Sequence, residues 1–115
     1  MTMSVVSART AEHYRWGHDC DGWHLVTSDH LSVIQERMPP NRAETRHYHE
    51  RAEQFFFVLA GIATMDVDGE VFTVHPHHGI HVKPDTPHRI SNQQSSDLVF
   101  TVTSTPPSHG DRVEL

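Results

Sequence analysis

Imidazole is the side chain most often found on transition metals, and this chain is rich in it: 12 of its 115 residues are His. At that frequency roughly one His-x-His pair is expected by chance. The sequence holds two, His47/His49 and His75/His77. In an extended strand, residues i and i+2 face the same side, so His47 and His49 converge on one point. Glu53 and Gln54 follow shortly downstream, and Thr86-Pro87-His88 offers a third imidazole at the start of another strand. Two His from one strand and one from a neighbour make a facial three-nitrogen site for a divalent transition metal. The plain alternative is that these are surface or hydrogen-bonded core histidines. His75, His77, His78 and His81 form a second cluster around Pro76 and Gly79, read as an exposed polar turn. Of these, His81 is the one that the spacing allows near a pocket mouth. His13, His18, His24, His30 and His109 are given no role.

The elements that must position these groups read as strands. Leu31–Met38 is apolar with β-branched members and stops at Pro39-Pro40. Arg46–Glu50 starts the next extended stretch. Gln54-Phe-Phe-Phe-Val-Leu-Ala60 is the strongest strand, ended by Gly61. Residues 62–67 and 70–74 flank Asp68-Gly69, a type I′ hairpin signal. Short strands follow at 79–83, 88–91 and 98–103. No segment carries a helical apolar stripe. The expectation is an all-β fold, a sandwich or barrel. Residues 1–22 are expected as an N-terminal arm, 23–104 as the barrel and 105–115 as a Pro- and Gly-rich tail.

Residues 55–60 are apolar on both faces of their strand. Phe56, Val58 and Ala60 share a side with Gln54; Phe55, Phe57 and Leu59 share the other. One side can line a barrel interior. The other needs a second sheet, the arm or another subunit, and a homodimer is expected on that ground.

Composition excludes other functions. Nine Lys and Arg against 15 Asp and Glu give a formal charge of −6. That disfavours a nucleic-acid binder acting by phosphate neutralisation, and it supplies no polybasic patch for a membrane. No apolar run approaches a membrane span or a signal peptide, so a cytoplasmic protein is expected. The single Cys20 allows no intrachain disulfide. There is no Gly-x-Ser-x-Gly and no Gly-rich phosphate loop.

The stretch Arg46-His-Tyr-His-Glu-Arg-Ala-Glu-Gln-Phe-Phe-Phe-Val-Leu-Ala-Gly61 resembles the first motif of the cupin superfamily: Gly, five residues, His-x-His, three or four residues, Glu, six residues, Gly. His47, His49 and Gly61 match; Asn41 stands at the leading Gly, and Gln54 at the Glu by its distance from Gly61. The second motif matches at His88 and Asn92 and departs at His77, Lys83 and Asp85. The resemblance covers roughly residues 30–103. It implies a double-stranded β-helix, a jelly-roll barrel of two antiparallel sheets, with a metal inside held by His47, His49, Gln54 and His88. The metal would be a divalent Fe, Mn, Ni, Zn or Cu. Glu53 and Gln54 point to opposite faces, so only one can be the fourth ligand; the spacing favours Gln54, with Glu53, or no fourth protein ligand, as the alternatives. Glu with three neutral His would leave a divalent site at +1, whereas Gln leaves it at +2. The resemblance implies a small oxygen-bearing molecule as partner, handled by a metal-dependent dioxygenase or isomerase or held by a non-enzymatic binding module. No general base stands out: the expected register turns Glu44, Tyr48 and Glu53 away from the His47/His49 face.

Overall fold

Two-residue alternation runs through almost the whole chain, and the computed structural model, which describes residues 5–115, is built of strands with no helix among those residues. The strands are β1 (Glu12–Trp16), β2 (Cys20–Thr27), β3 (Ser32–Met38), β4 (Arg42–Ala43), β5 (His47–His49), β6 (Glu53–Ala60), β7 (Ala63–Val67), β8 (Glu70–Val74), β9 (Gly79–Val82), β10 (His88–Asn92), β11 (Leu98–Thr105) and β12 (Arg112–Glu114). Sheet one has the order β1-β2-β3-β11-β6-β9; sheet two has the order β12-β5-β10-β7-β8, with β4 also paired to β10. All pairings are antiparallel. The chain is all-β, two antiparallel sheets folded as a jelly roll.

The sheets bury their facing sides against each other. Phe56 and Val58 on β6, Leu98, Phe100 and Val102 on β11, Met38 on β3, Met65 on β7 and Ile90 on β10 form the core. Fully burying one side chain of this size contributes about 1.5–3 kcal/mol. The outer face of β6 is different: Phe55 is 43% and Leu59 37% exposed. The alternation of Phe55 through Leu59 thus splits into a core face and an uncovered apolar face.

Turn chemistry sets the connections. Asp68 and Gly69 both adopt positive φ, 53° and 88°, as a type I′ hairpin between β7 and β8 requires. Gly61 has φ 78°, and a Cβ there would press on the backbone of Asp97 and Leu98. That turn passes the chain from β6 in sheet one to β7 in sheet two.

Part of the expected arm is sheet: β1 and β2 form a hairpin whose outer strand is the edge of sheet one. Met1 to Ser4 of that arm lie outside the described residues. Part of the expected tail is also strand, since β12 pairs with β5, Arg112 opposite His49 and Glu114 opposite His47.

Candidate metal centre

β5 is three residues long, and its alternation turns His47 and His49 inward, 2% and 5% exposed. His88 opens β10 directly opposite His47. A ligating nitrogen of each ring lies within 4.8 Å of the others. Ring centroids stand 4.4 Å apart for His47–His88, 4.9 Å for His47–His49 and 5.6 Å for His49–His88. The loop before His88 is tied to the pair, because Asp85 N donates to His49 O at 2.7 Å.

Each ring is oriented by a backbone carbonyl at Nδ1: Thr45 O for His47 at 2.7 Å, Thr86 O for His88 at 2.8 Å and Asp111 O for His49 at 3.3 Å. A carbonyl only accepts, so Nδ1 carries the proton and the lone pair of the neutral ring sits on Nε2. Burial holds the rings neutral. It pushes His47 down to about 3 and His88 down to about 4, and lowers His49 as well. Neutral imidazoles with free Nε2 atoms are what a metal requires.

Gln54 points inward from β6 and is 6% exposed; Glu53 points outward and pairs with His81 at 2.8 Å on the surface. Gln54 Nε2 donates to Ser104 Oγ at 2.9 Å, leaving Gln54 Oε1 free. Among the described residues, two buried side-chain polar atoms lack any partner, Gln54 Oε1 and His88 Nε2. Leaving such an atom unsatisfied costs about 1–3 kcal/mol. Both belong to residues that the sequence names as metal ligands. Three imidazole nitrogens and an amide oxygen fit a divalent transition metal.

A cavity of about 290 Å³ adjoins the cluster, lined by His47, His49 and Gln54. Its other walls correct the sequence reading. Glu44 does not point away: it lines this cavity, with Oε1 accepting from Ile90 N at 3.1 Å. Parity counted back from His47 fails because the chain leaves strand geometry between Ala43 and His47. Glu36 and Tyr14, not singled out from sequence, line it too, as does His109, which had no assigned role. The signal for Glu36 was available, since it stands between Ile34 and Met38 on the inward parity of β3. His81 does not reach this cavity; it lies on β9 opposite Phe55, paired to Glu53.

Burial pushes the carboxyl of Glu36 up to about 7 and that of Glu44 up to about 8, the nearby Glu36 adding to the latter. Asp111 closes the site from the C-terminal side. Its carboxylate accepts from the backbone N–H of Glu50 (3.1 Å), Arg51 (2.9 Å) and Ala52 (2.9 Å), and these bonds hold it below the usual carboxylate range.

Comparison with known proteins agrees with this architecture. The family model described as "Cupin domain" matches residues 34–104. An uncharacterized protein of Methanocaldococcus jannaschii is 32% identical over 81 residues, 70% of this chain and 65% of that protein. The polyketide synthase CurC of Streptomyces cyaneus is 31% identical over 72 residues, 61% of this chain and 47% of that protein. The chain therefore spans about half to two thirds of the length of these relatives. Among solved structures, KdgF from Halomonas sp. superposes with a TM-score of 0.84 at 15% identity, covering 93% of this chain and 98% of that one. With the family model matched over most of its length and the fold shared, this chain belongs to the cupin family.

Proposed function

We propose that the protein is a cupin metalloprotein that binds a divalent transition metal through His47, His49, His88 and Gln54 and holds a small oxygen-bearing molecule in the adjoining cavity. The observation that carries this reading is the pair of unpartnered buried atoms, Gln54 Oε1 and His88 Nε2, beside the three-histidine cluster. When bound, the metal supplies Lewis-acid polarisation of the molecule's oxygens. The neutral donor set leaves the ion its full charge. His47, His49 and His88 contribute Nε2, and their Nδ1–H bonds to carbonyls fix the rings. Phe56 and Trp16 make part of the cavity wall apolar.

The relative CurC is named a polyketide synthase. Polyketide chains are rich in ketone and hydroxyl oxygens, which supports a carbonyl-bearing molecule for this cavity. We also propose a homodimer in which a second copy covers the exposed Phe55 and Leu59.

The test is metal-induced stabilisation. Protein stripped with a chelator is melted with and without added Mn²⁺, Fe²⁺, Ni²⁺ or Zn²⁺. At least one ion should raise Tm in the wild type, because a ligand bound only to the folded state stabilises it. The same ion should raise it far less in His47→Ala and His88→Ala. Equal shifts in all three proteins would reject the assignment.

A further inference from the structure

One cross-strand row on the inner face of sheet one is not explained by core packing. Tyr14, Gly22 and Glu36 are direct neighbours across β1, β2 and β3. A Cβ at Gly22 would overlap the Tyr14 ring. Because Gly22 has none, the ring lies across β2 and its Oη donates to Glu36 Oε2 at 2.9 Å. Burial drives Tyr14 far above the ordinary phenol range, so the hydroxyl stays a donor. Tyr14 and Glu36 both line the cavity that holds His47, His49 and Gln54, and Glu44 lines it from sheet two.

Neither carboxyl has an ion-pair partner among the described residues; Arg112 acts on both only from a distance. Two half-buried carboxyl groups without such a partner work against folding. Here one of them also has a cleared path for a dedicated hydrogen-bond donor. Perturbed carboxyls beside a ligand cavity are the pattern of acid–base chemistry.

We propose that Glu36 is the acid–base catalytic residue of this site, positioned by Tyr14, and that the molecule it acts on is a hydroxy-ketone. The inference rests on the cavity being the site of an oxygen-bearing molecule, as argued above. In the step, the C–H bond beside the carbonyl breaks and its proton passes to the Glu36 carboxylate. The electron pair becomes the C=C bond of an enolate, whose charge rests on the former carbonyl oxygen. Glu36 then returns the proton to the same carbon, or to the neighbouring one once the hydroxyl proton has crossed to the former carbonyl oxygen, so that the other oxygen becomes the new carbonyl. Nothing is oxidised or reduced overall. A carboxyl near 7 takes and returns protons efficiently at neutral pH. Glu44 lines the same cavity, and its carboxyl, protonated at neutral pH, can donate its hydrogen to a ligand oxygen and accept a ligand hydroxyl.

The test uses dihydroxyacetone in D2O with the full chain, its metal content measured on the same sample. Loss of the methylene signal by proton NMR reports C–H exchange. The wild type should exchange faster than buffer, and Glu36→Gln should lose about 100-fold or more of that rate. Tyr14→Phe should slow exchange with metal content and Tm retained, and Gly22→Ala, which displaces the Tyr14 ring, should slow it with metal content retained. Tyr14→Phe should also move the rise in rate to higher pH, because the lost hydroxyl stabilises the carboxylate. The titratable and charged groups around Glu36 are Tyr14 on β1, Cys20 on β2, Glu44 beyond β4, His47 and His49 on β5, His109 before β12 and Arg112 on β12; Tyr14→Phe alters the first alone. No acceleration by the wild type, or a wild-type rate in Glu36→Gln, would overturn the proposal. A wild type without metal that still exchanges through Glu36 would sink the metal reading and leave this one standing.

Discussion

At the scale of single residues, the choice between Glu53 and Gln54 would decide the charge of the proposed metal centre. Parity on β6 turns Gln54 inward to the cavity lined by His47 and His49, and Glu53 outward to His81. That was legible from the distance to Gly61. Glu44 was not, because parity holds only within one strand and the chain breaks between β4 and β5. The neutral amide is a weak donor, so Gln54→Glu should tighten metal binding by about tenfold or more, adding a charge to a neutral set. Ser104 can serve the new carboxylate by turning its hydroxyl from acceptor to donor. Competition with a calibrated chelator measures the change. Equal or weaker binding by the variant would show that the amide oxygen is not a ligand.

At the scale of elements, the turn leading into the C-terminal strand β12 supports the histidine cluster. His47 and His88 take their orienting carbonyls from two residues upstream, Thr45 and Thr86, whereas His49 takes its own from Asp111, 62 residues away. Asp111 is fixed in turn by three N–H groups of the loop before β6. Asp111→Ala keeps that carbonyl but removes the carboxylate that anchors it, and should lower metal affinity by about 10-fold, the low end of the effect of disturbing an orienting partner. Titration with Co²⁺ reads the affinity, and the visible spectrum reads the ligand geometry. Unchanged values of both would dismiss this role for Asp111. Sequence pattern missed β12 because three residues, two of them charged, carry no apolar alternation. It missed β1 for a related reason: Glu12, His13 and Arg15 mask the inward Tyr14 and Trp16. By contrast, β6, β7, β8 and β11 have strong apolar alternation or a type I′ turn, and they were readable within a residue or two.

At the scale of the whole molecule, the half-buried acids Glu36 and Glu44 and the buried histidines pull stability in opposite directions with pH. Glu36 and Glu44 rise from 4.5 to about 7 and about 8, so the folded state holds more protons than the unfolded state between those values. Their contribution is full below 4.5 and is lost as pH rises through 7 and 8. His47 and His88 fall from 6.5 to about 3 and about 4, so the unfolded state takes up more protons as pH drops below 6.5. Stability is lost there as pH falls. The metal-free protein should melt at its highest temperature between about pH 4.5 and 6.5, and at lower temperatures on both sides. Thermal unfolding across pH 3–9 in the presence of chelator would reveal it. A stability that climbs steadily to pH 9 would contradict the burial of Glu36 and Glu44.

The central claim is that His47, His49, His88 and Gln54 hold one metal ion. Elemental analysis of the purified, untagged protein beside His49→Ala tests it most directly, with iron, copper, nickel and manganese counted along with zinc. About one ion per chain in the wild type and little in the variant is the predicted result. Iron, copper or nickel would then point to oxygen chemistry, and zinc or manganese to Lewis-acid chemistry. Equal or negligible metal in both proteins would contradict the account and leave a metal-free binding pocket in its place.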